Sequence, residues 1–318
     1  IGVAVAIFAG SVFVFQIIGF SLFPASEKPQ FLVNITTPPQ SNLIYTDSVS
    51  RKIEAELKAE PSVKFVSANV GKGNPRVYYN EMPENERTDY SQLFVQLDEH
   101  TSPDEKLQLI EKLRAKWTPY PGAKVEVKNF EQGPPVVAPV EVRLFGDNLD
   151  SLRVVANRVE DMLKNTKGTI YVTNPVSTLK SDIRVKINKE KAQMLGVPTV
   201  TIDRTVRMAI AGLNIGQYSD ENGNDYDLLV TRTKAGRPTL DDLNNLYVNT
   251  YSGAAIPLSQ IATMKLETSP VTINHNEKRR VVSVKANVQK GFLVDRVIND
   301  VIAQMDKMHM PSGYSYEM

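Results

Sequence analysis

Strand and helix patterns recur twice along the chain in the order β-α-β-β-α-β, and this repeat restricts the fold more than any other feature. Helical spacing of apolar residues in the first repeat predicts one helix over 43–60 and a second that begins at Pro103. Alternating apolar and polar residues predict strands over 30–36, 63–70, 92–98 and 123–130. This order is that of the split βαβ, or ferredoxin-like, fold.

Both helices of the first repeat carry local signals for their ends and for their buried faces. Pro61 ends the first helix, and a capping box formed by Ser102 and Glu105 begins the second. The residues predicted to face a core are Tyr45, Val49, Ile53 and Leu57 in the first helix and Leu109, Ile110, Leu113 and Trp117 in the second.

The second repeat has the same order but contains a large insertion, residues 177–278. Its predicted elements are strands over 139–146, 168–176, 279–288 and 314–318 and helices over 149–165 and 293–308. Within the insertion, a strand over 181–187 and two helices precede a β-rich stretch, which predicts a small α+β domain. Ferredoxin-like units tolerate such insertions because the ends of the loop lie close together.

The first 23 residues carry no charged side chain, and Gln16 is the only strongly polar one. A helix of that length is about 35 Å long, which exceeds the ~30 Å hydrocarbon core of a bilayer. A signal peptide is the alternative, but its apolar region is shorter and follows a basic start. We therefore predict a transmembrane helix over 1–23, closed by Pro24. The balanced charge of the residues that follow favours the outer side of the membrane.

A proline-rich segment, residues 130–139, joins the two repeats and is called the strap below. It contains Pro134, Pro135 and Pro139. Because proline fixes φ and removes a backbone donor, the strap is expected to be a stiff, extended connector.

Composition excludes several classes of function. The chain has no cysteine, so disulfides, zinc–thiolate sites and thiol nucleophiles are excluded. The 37 basic residues nearly balance the 36 acidic ones, and no basic stripe predicts a nucleic-acid partner. RNA-recognition modules share the βαββαβ order but need base-stacking aromatic residues on central strands, where the strand over 92–98 offers only Phe94.

Residues that could carry catalysis or bind a cofactor do not form a recognisable pattern. His100, His275 and His309 are scattered, and the Gly-rich stretch 71–75 lacks the later residues of a phosphate-binding loop. Turns such as 219–227 lack EF-hand spacing. The methionines fit the role of core fillers better than that of Cu(I) or Ag(I) ligands. We therefore expect no enzymatic activity, no cofactor and no metal site.

Four stretches along the chain resemble resistance–nodulation–division (RND) exporters of the AcrB/AcrD/AcrF multidrug type. They are "QFLVNITTPPQSNLIYTDSVSRKIEAEL", "GPPVVAPVEVRLFGDNLDSL", "INKEKAQMLGVPTVTI" and "GAAIPLSQIATMKLETSPVTINHNEKRRVVSVKANV". Each stretch alone is a modest match, but the resemblance covers the whole chain, and the four stretches keep the order that they have in the exporters. The resemblance is to the second periplasmic loop of such exporters, together with the membrane helix that precedes it.

The resemblance implies a division of the chain into subdomains. Residues 30–130 would be the first C-terminal porter subdomain, and 138–196 with 279–318 the second. Residues 197–278 would be the docking subdomain. The expected fold is therefore α+β: one N-terminal transmembrane helix, then two tandem ferredoxin-like porter subdomains, the second interrupted by a small docking subdomain.

The resemblance also implies a function and partners. Such pumps are homotrimers of the bacterial inner membrane that exchange protons for export of amphipathic compounds. They pass substrate to an outer-membrane channel with the help of a periplasmic membrane-fusion adaptor. The bulk of this chain would lie in the periplasm, anchored in the bilayer by the N-terminal helix. The proton-relay residues would lie on other helices.

Candidate site residues follow from position in that scheme. The strap would cross the floor of a substrate cleft, which makes its residues candidate lining: Phe130, Gln132, Pro134, Pro135 and Val136. Residues 70–90, called the long loop below, correspond in position to the switch loop between substrate pockets. The candidate switch-loop residues are Val70, Gly71, Lys72, Tyr78 and Tyr79, together with Phe94 from the strand over 92–98. The long loop is longer and more charged than the Gly- and Phe-rich loop of relatives.

The cargo prediction rests on methionine. Heavy-metal exporters of the family place methionine ligands in the cleft, whereas this chain has none between Met82 and Met162. That favours hydrophobic or amphipathic cargo such as drugs, detergents and bile-salt-like molecules. The alternative functions are a membrane-anchored interaction or assembly module without transport and, less favoured, a periplasmic enzyme.

Overall fold

The computed structural model describes residues 26–133, 138–231 and 240–318, together with Gly2, Val3, Ile7, Phe8 and Gly10. The predicted membrane helix over 1–23 lies almost wholly outside these residues. None of the helices formed by the described residues has the length and hydropathy to cross a bilayer. The chain divides into two compact units, Ile1–Lys180 with Pro270–Met318 and Ser181–Ser269.

The elements of the described residues alternate much as the sequence predicts. The strands are β1 (Gln30–Thr36), β2 (Val63–Val70), β3 (Tyr90–Leu97), β4 (Lys124–Asn129), β5 (Val140–Phe145), β6 (Thr169–Thr173), β7 (Leu179–Ile187), β8 (Leu213–Ser219), β9 (Asp225–Val230), β10 (Tyr247–Asn249), β11 (Ala255–Pro257), β12 (Ala262–Pro270), β13 (Asn274–Asn276), β14 (Arg279–Val288) and β15 (Ser315–Glu317). The α-helices are α1 (Leu43–Lys58), α2 (Pro103–Trp117), α3 (Leu149–Asn165), α4 (Lys189–Met194), α5 (Thr199–Ile210), α6 (Leu240–Asn244) and α7 (Val294–Met305).

The first repeat forms an antiparallel sheet in the order β2-β3-β1-β4. Strand β3 lies between β1 and β2, which are joined through α1, and this arrangement is the split βαβ plan. Side chains alternate along each strand, so Val33 and Leu93 face the helices while their sequence neighbours face the other way. Trp117 completes this core, and its indole N–H donates to a Glu56 carboxylate oxygen at 2.8 Å.

The helix signals of the first repeat are confirmed, with one correction. Ser102 and Glu105 form the predicted capping box at the start of α2. Tyr45 was predicted to face the core but is 41% exposed. It lies in the first turn of α1, where its hydroxyl reaches the turn after α2 and donates to the Gly122 carbonyl at 3.2 Å.

The second repeat forms a sheet in which β14 pairs with both β5 and β6, and β15 pairs with the outer edge of β5. The hairpin strand β13 also pairs with β14. Helices α3 and α7 bury an apolar stripe against this sheet, including Val155 and Val301. The mixed α+β architecture with two tandem βαββαβ repeats is therefore confirmed.

The unit Ser181–Ser269 has its own core around Ile202, Leu258 and Ile261. Strand β7 pairs with β12, and Arg184 forms an ion pair with Glu267 across them at 2.9 Å. The hairpin of β8 and β9 extends from this unit with exposed side chains on both faces. The unit begins earlier and ends earlier than the predicted docking range 197–278, whose assignment stays a prediction.

Candidate substrate-binding face of the first sheet

The face of the first sheet that points away from the helices carries polar and aromatic side chains in rows. Strand register places Asn34 opposite Gln92, and Gln92 opposite Asn69. The next row contains Leu32 and Phe94, which are also paired across β1 and β3. Cross-strand neighbours on one face lie close enough to interact directly. These two rows form what is called the amide face below.

The long loop begins and ends at this face. Backbone bonds close its base: Gly71 N–H donates to the Tyr90 carbonyl at 2.8 Å, and Arg87 N–H to the Gly71 carbonyl at 2.9 Å. Gly71 has a φ of +88°, and a Cβ there would come within 2.8 Å of the Leu43 side chain. A residue other than glycine would therefore strain this turn. Of the predicted loop candidates, Val70, Gly71 and Lys72 lie at this base, beside Leu43 and Arg87.

A chain of carboxamides joins the long loop to the amide face. Asn69 Nδ2 donates to Asn74 Oδ1 at 2.5 Å, and Asn74 N–H donates to Gln92 Oε1 at 2.8 Å. Gln92 Nε2 in turn donates to Asn34 Oδ1 at 3.0 Å. Asn34, Asn74 and Gln92 are all buried. Because buried amides are costly without partners, this chain favours the loop lying on the sheet.

An aromatic cluster brings together candidates that are distant in sequence. The ring of Tyr78 lies 4.8 Å from that of Phe130 and 5.0 Å from that of Tyr79, between centroids. Phe94 on the amide face lies 6.3 Å from Phe130. These spacings fall in the range of favourable aromatic pairs. Phe130 is fully buried, whereas Tyr79 is 54% exposed.

The first residues of the strap contact the long loop directly. Gly133 N–H donates to Tyr79 Oη at 2.6 Å, and Asn80 Nδ2 donates to the carbonyls of Glu131 at 2.9 Å and Gly133 at 3.2 Å. Of the predicted strap candidates, Phe130 therefore belongs to the cluster, whereas Gln132 is exposed. The candidates Pro134, Pro135 and Val136 lie outside the described residues.

Two charged groups near this site have displaced pKa values. Burial raises the pKa of the Glu81 carboxyl, Lys128 opposes that shift, and Glu131 adds to it. Burial lowers the pKa of the Lys106 ammonium. Lys106 Nζ donates to the carbonyls of Ser26 and Lys28, and Ser26 N–H donates to the Phe130 carbonyl at 2.7 Å.

A cavity of about 520 Å³ lies between the two repeats and is lined by residues of α2, β4 and β6. Tyr171 reaches across from the second repeat, and its hydroxyl accepts the Val127 N–H at 2.9 Å. Arg114 Nε donates to the Val127 carbonyl at 2.9 Å, and its guanidinium lies 5.7 Å from the Tyr171 ring centroid. Tyr171 holds a φ of +53°, which is uncommon outside glycine. The unpaired edge of β4 is thus capped by the second repeat.

Sequence reasoning missed the amides that support the long loop. Asn34, Asn69 and Gln92 each interrupt a strand that is rich in apolar residues, and these polar positions were the available signal. Asn80 gave no signal, because its partners are backbone carbonyls of the strap. Among the residues that the structure describes, no three acidic or histidine side chains gather as a metal site would require.

The described residues form two tandem split βαβ subdomains, the second interrupted by a separate α+β unit. The sequence matches the AcrB/AcrD/AcrF family over residues 1–318. The chain therefore belongs to this family of RND transporters.

Relatives and a solved structure agree with that assignment. The nickel and cobalt resistance protein CnrA of Cupriavidus metallidurans is 23% identical over 100% of this chain and 30% of its own length. The cation efflux system protein CzcA of an Alcaligenes strain is 23% identical over 93% of this chain and 29% of its own length. A crystal structure of a heavy metal efflux pump has the same fold over 99% of this chain, at 20% identity, with a TM-score of 0.83. The chain spans about 30% of the length of such relatives.

Proposed function

We propose that this chain is the periplasmic porter and docking portion of a proton-driven RND exporter of the bacterial inner membrane. The observation that carries the proposal is the match of both βαββαβ repeats and the insertion, in order, to a solved efflux pump over 99% of the chain. In this proposal the pump is a homotrimer that works with a periplasmic adaptor and an outer-membrane channel. The proton-relay residues belong to other segments of the pump.

The amide face, the aromatic cluster and the strap form the proposed substrate path. Phe94 and Phe130 offer apolar contact, and Asn34 and Gln92 offer hydrogen bonds once the long loop lifts from them. A site that combines apolar walls with a few polar groups can orient a bound molecule while burial supplies most of the affinity. Opening of the long loop would thus control access to the amide face.

A metal cation is the first candidate cargo, because the relatives CnrA and CzcA and the solved pump carry metal or cation names. None of these relatives supports the preference for hydrophobic cargo that the methionine pattern suggested. That pattern bears only on soft ions such as Cu(I), since nickel, cobalt and zinc accept nitrogen and oxygen ligands. Glu81 and Glu131, each within two residues of a member of the aromatic cluster in the chain, supply carboxylates close enough to interact with each other and with Lys128.

An amphipathic organic compound is the second candidate cargo, and the aromatic cluster favours it. Tyr78, Tyr79, Phe94 and Phe130 come from the long loop, the sheet and the strap, so a flat apolar molecule could contact all three at once. Such a surface suits ligands that differ in shape.

Cells that lack their own exporters and express the complete pump would test both candidates. Growth is measured in nickel, cobalt, zinc and cadmium salts and, separately, in dyes, detergents and bile salts. With metal cargo, resistance to one or more cations rises and Glu81→Gln reduces it. With amphipathic cargo, resistance to organic compounds rises and Phe94→Ala reduces it. Val154→Ala, a change at an exposed position on α3, is the matched control. No resistance to any of these compounds would favour the assembly module without transport.

A further inference from the structure

The contacts between the long loop and the strap are concentrated in two consecutive residues. Tyr79 accepts a hydrogen bond from Gly133 N–H, and Asn80 donates to the carbonyls of Glu131 and Gly133. Both backbone groups of Gly133 are therefore bonded to the loop. Gly133 holds a φ of +106°, which glycine adopts without a steric penalty.

The loop side of this contact is itself held in place. The Arg76 guanidinium donates to the Tyr79 carbonyl, which fixes the backbone that carries the tyrosine. Tyr78, the residue before it, packs against the ring of Phe130, the first residue of the strap. Hydrogen bonds and ring packing therefore join the same two segments at adjacent positions.

The strap side continues into the rest of the first repeat. Ser26 N–H donates to the Phe130 carbonyl at 2.7 Å, and the buried ammonium of Lys106 on α2 binds the Ser26 carbonyl. The start of the strap is thus bonded to the long loop on one side and to residues 26–28 on the other. A displacement of residues 26–28 would be transmitted to the strap, and through Gly133 to the loop.

We infer that Tyr79 and Asn80 are positioning residues that latch the long loop to residues 130–133 at the start of the strap, so that these two segments move as one body in the transport cycle. Tyr79, Asn80 and their strap partners Glu131 and Gly133 are called the latch. This inference rests on the proposed export function for its role in transport, but the latch itself can be measured without any cargo. The latch has the consequence that the amide face is uncovered only when residues 130–133 move as well.

Hydrogen–deuterium exchange of the complete pump, purified in lipid nanodiscs, tests the latch. Tyr79→Phe removes the acceptor of Gly133 N–H, and Asn80→Ala removes the donor to both carbonyls. Each change is expected to raise exchange about fivefold to tenfold in peptides from the long loop and from residues 130–133 together. Tyr78→Phe, which keeps the ring that packs on Phe130, is the control and should leave exchange unchanged. Faster exchange in the loop alone, or in neither segment, would overturn the latch.

A covalent link supplies the second arm. The 318 residues contain no cysteine, so Asn80→Cys with Glu131→Cys in a pump cleared of other cysteines provides one unique pair. A short bismaleimide that joins the pair should leave the maximal transport rate of cobalt or dye within about twofold of that of the same double variant before linking, because joined segments need not separate. Loss of transport on linking would show that the segments must part and would overturn the inference. A wild-type pump that transports neither probe would refute the proposed function, while the exchange result would still decide the latch.

Discussion

Lys106 provides the sharpest test of how the first repeat is held together. Its side chain is buried with only 1% exposed, and its ammonium donates to the carbonyls of Ser26 and Lys28, the second at 2.8 Å. Burial lowers the pKa of this lysine, and the charge of Glu27 opposes that shift only in part. The substitution Lys106→Met keeps most of the volume of the side chain but removes all three N–H donors.

The magnitude follows from the groups that lose a partner. Ser26 is buried, so its carbonyl would be left without a donor, at a cost of about 1–3 kcal/mol. Lys28 is exposed, and water can replace the bond to its carbonyl. Removal of a buried ammonium recovers part of its desolvation cost. We therefore expect Lys106→Met to lower the free energy of unfolding by about 1–3 kcal/mol.

Urea unfolding of a chain that comprises residues 26–318 can measure this loss. Trp117 is the only tryptophan of the sequence and lies in the core of the first repeat, so its fluorescence reports on that repeat. Lys112→Met on the same helix is the matched control, because Lys112 is exposed and its ion pair with Glu60 is worth little. If both variants unfold within about 0.5 kcal/mol of each other, the reasoning about Lys106 is wrong.

Three further changes test separate parts of the fold. Tyr171→Phe should lower the free energy of unfolding by about 1–3 kcal/mol, because it leaves the buried N–H of Val127 without an acceptor. An unchanged midpoint of urea unfolding would contradict the proposed cap on β4. Ser102→Ala should cost about 1 kcal/mol through loss of the capping box, measured in the same way, and no loss would mean that the cap contributes nothing. Glu81→Gln should remove a pH dependence of the stability of the long loop. In the wild type, the pKa of Glu81 in the folded state is raised above 4.5. The loop is therefore most stable below that pH and loses stability as pH rises through the raised pKa. Exchange rates of the loop, corrected for intrinsic rates, should therefore rise as pH increases above 4.5 in the wild type but not in the variant, and equal profiles would refute this explanation.

Local signals allowed much of the fold to be predicted from the sequence. The capping box at Ser102 is encoded within four residues, and the structure forms it. The helix over 149–165 and the strand over 279–288 have the predicted bounds, because their apolar periodicity is uninterrupted. Such signals depend only on residues that are close together in the chain, so a single sequence is enough to recognise them.

Features that depend on distant partners could not be predicted. The contact of Tyr45 with Gly122 joins residues whose proximity only the fold creates. The sequence places the strand over 181–187 in the insertion, but no local pattern identifies β12 as the strand that β7 pairs with.

The candidate site shows the same division. Tyr78, Tyr79, Phe94 and Phe130 could be named because the sequence resembles RND exporters, and the structure brings them together. The bonds of Asn80 to the strap could not be named, because their acceptors are backbone carbonyls. The absence of methionine around the strap bears only on soft metal ions, so it could not decide the cargo, and the metal and cation names of the relatives do not support a hydrophobic one.

Transport by the complete pump in sealed vesicles tests the central claim most directly. An imposed proton gradient is applied, and the movement of cobalt or zinc and of a hydrophobic dye is followed with metal-sensitive and dye fluorescence. The account predicts gradient-driven transport of at least one probe, with a lower rate in Phe94→Ala or Glu81→Gln and an unchanged rate in Val154→Ala. Absence of gradient-driven transport of both classes by a folded, trimeric pump would contradict it.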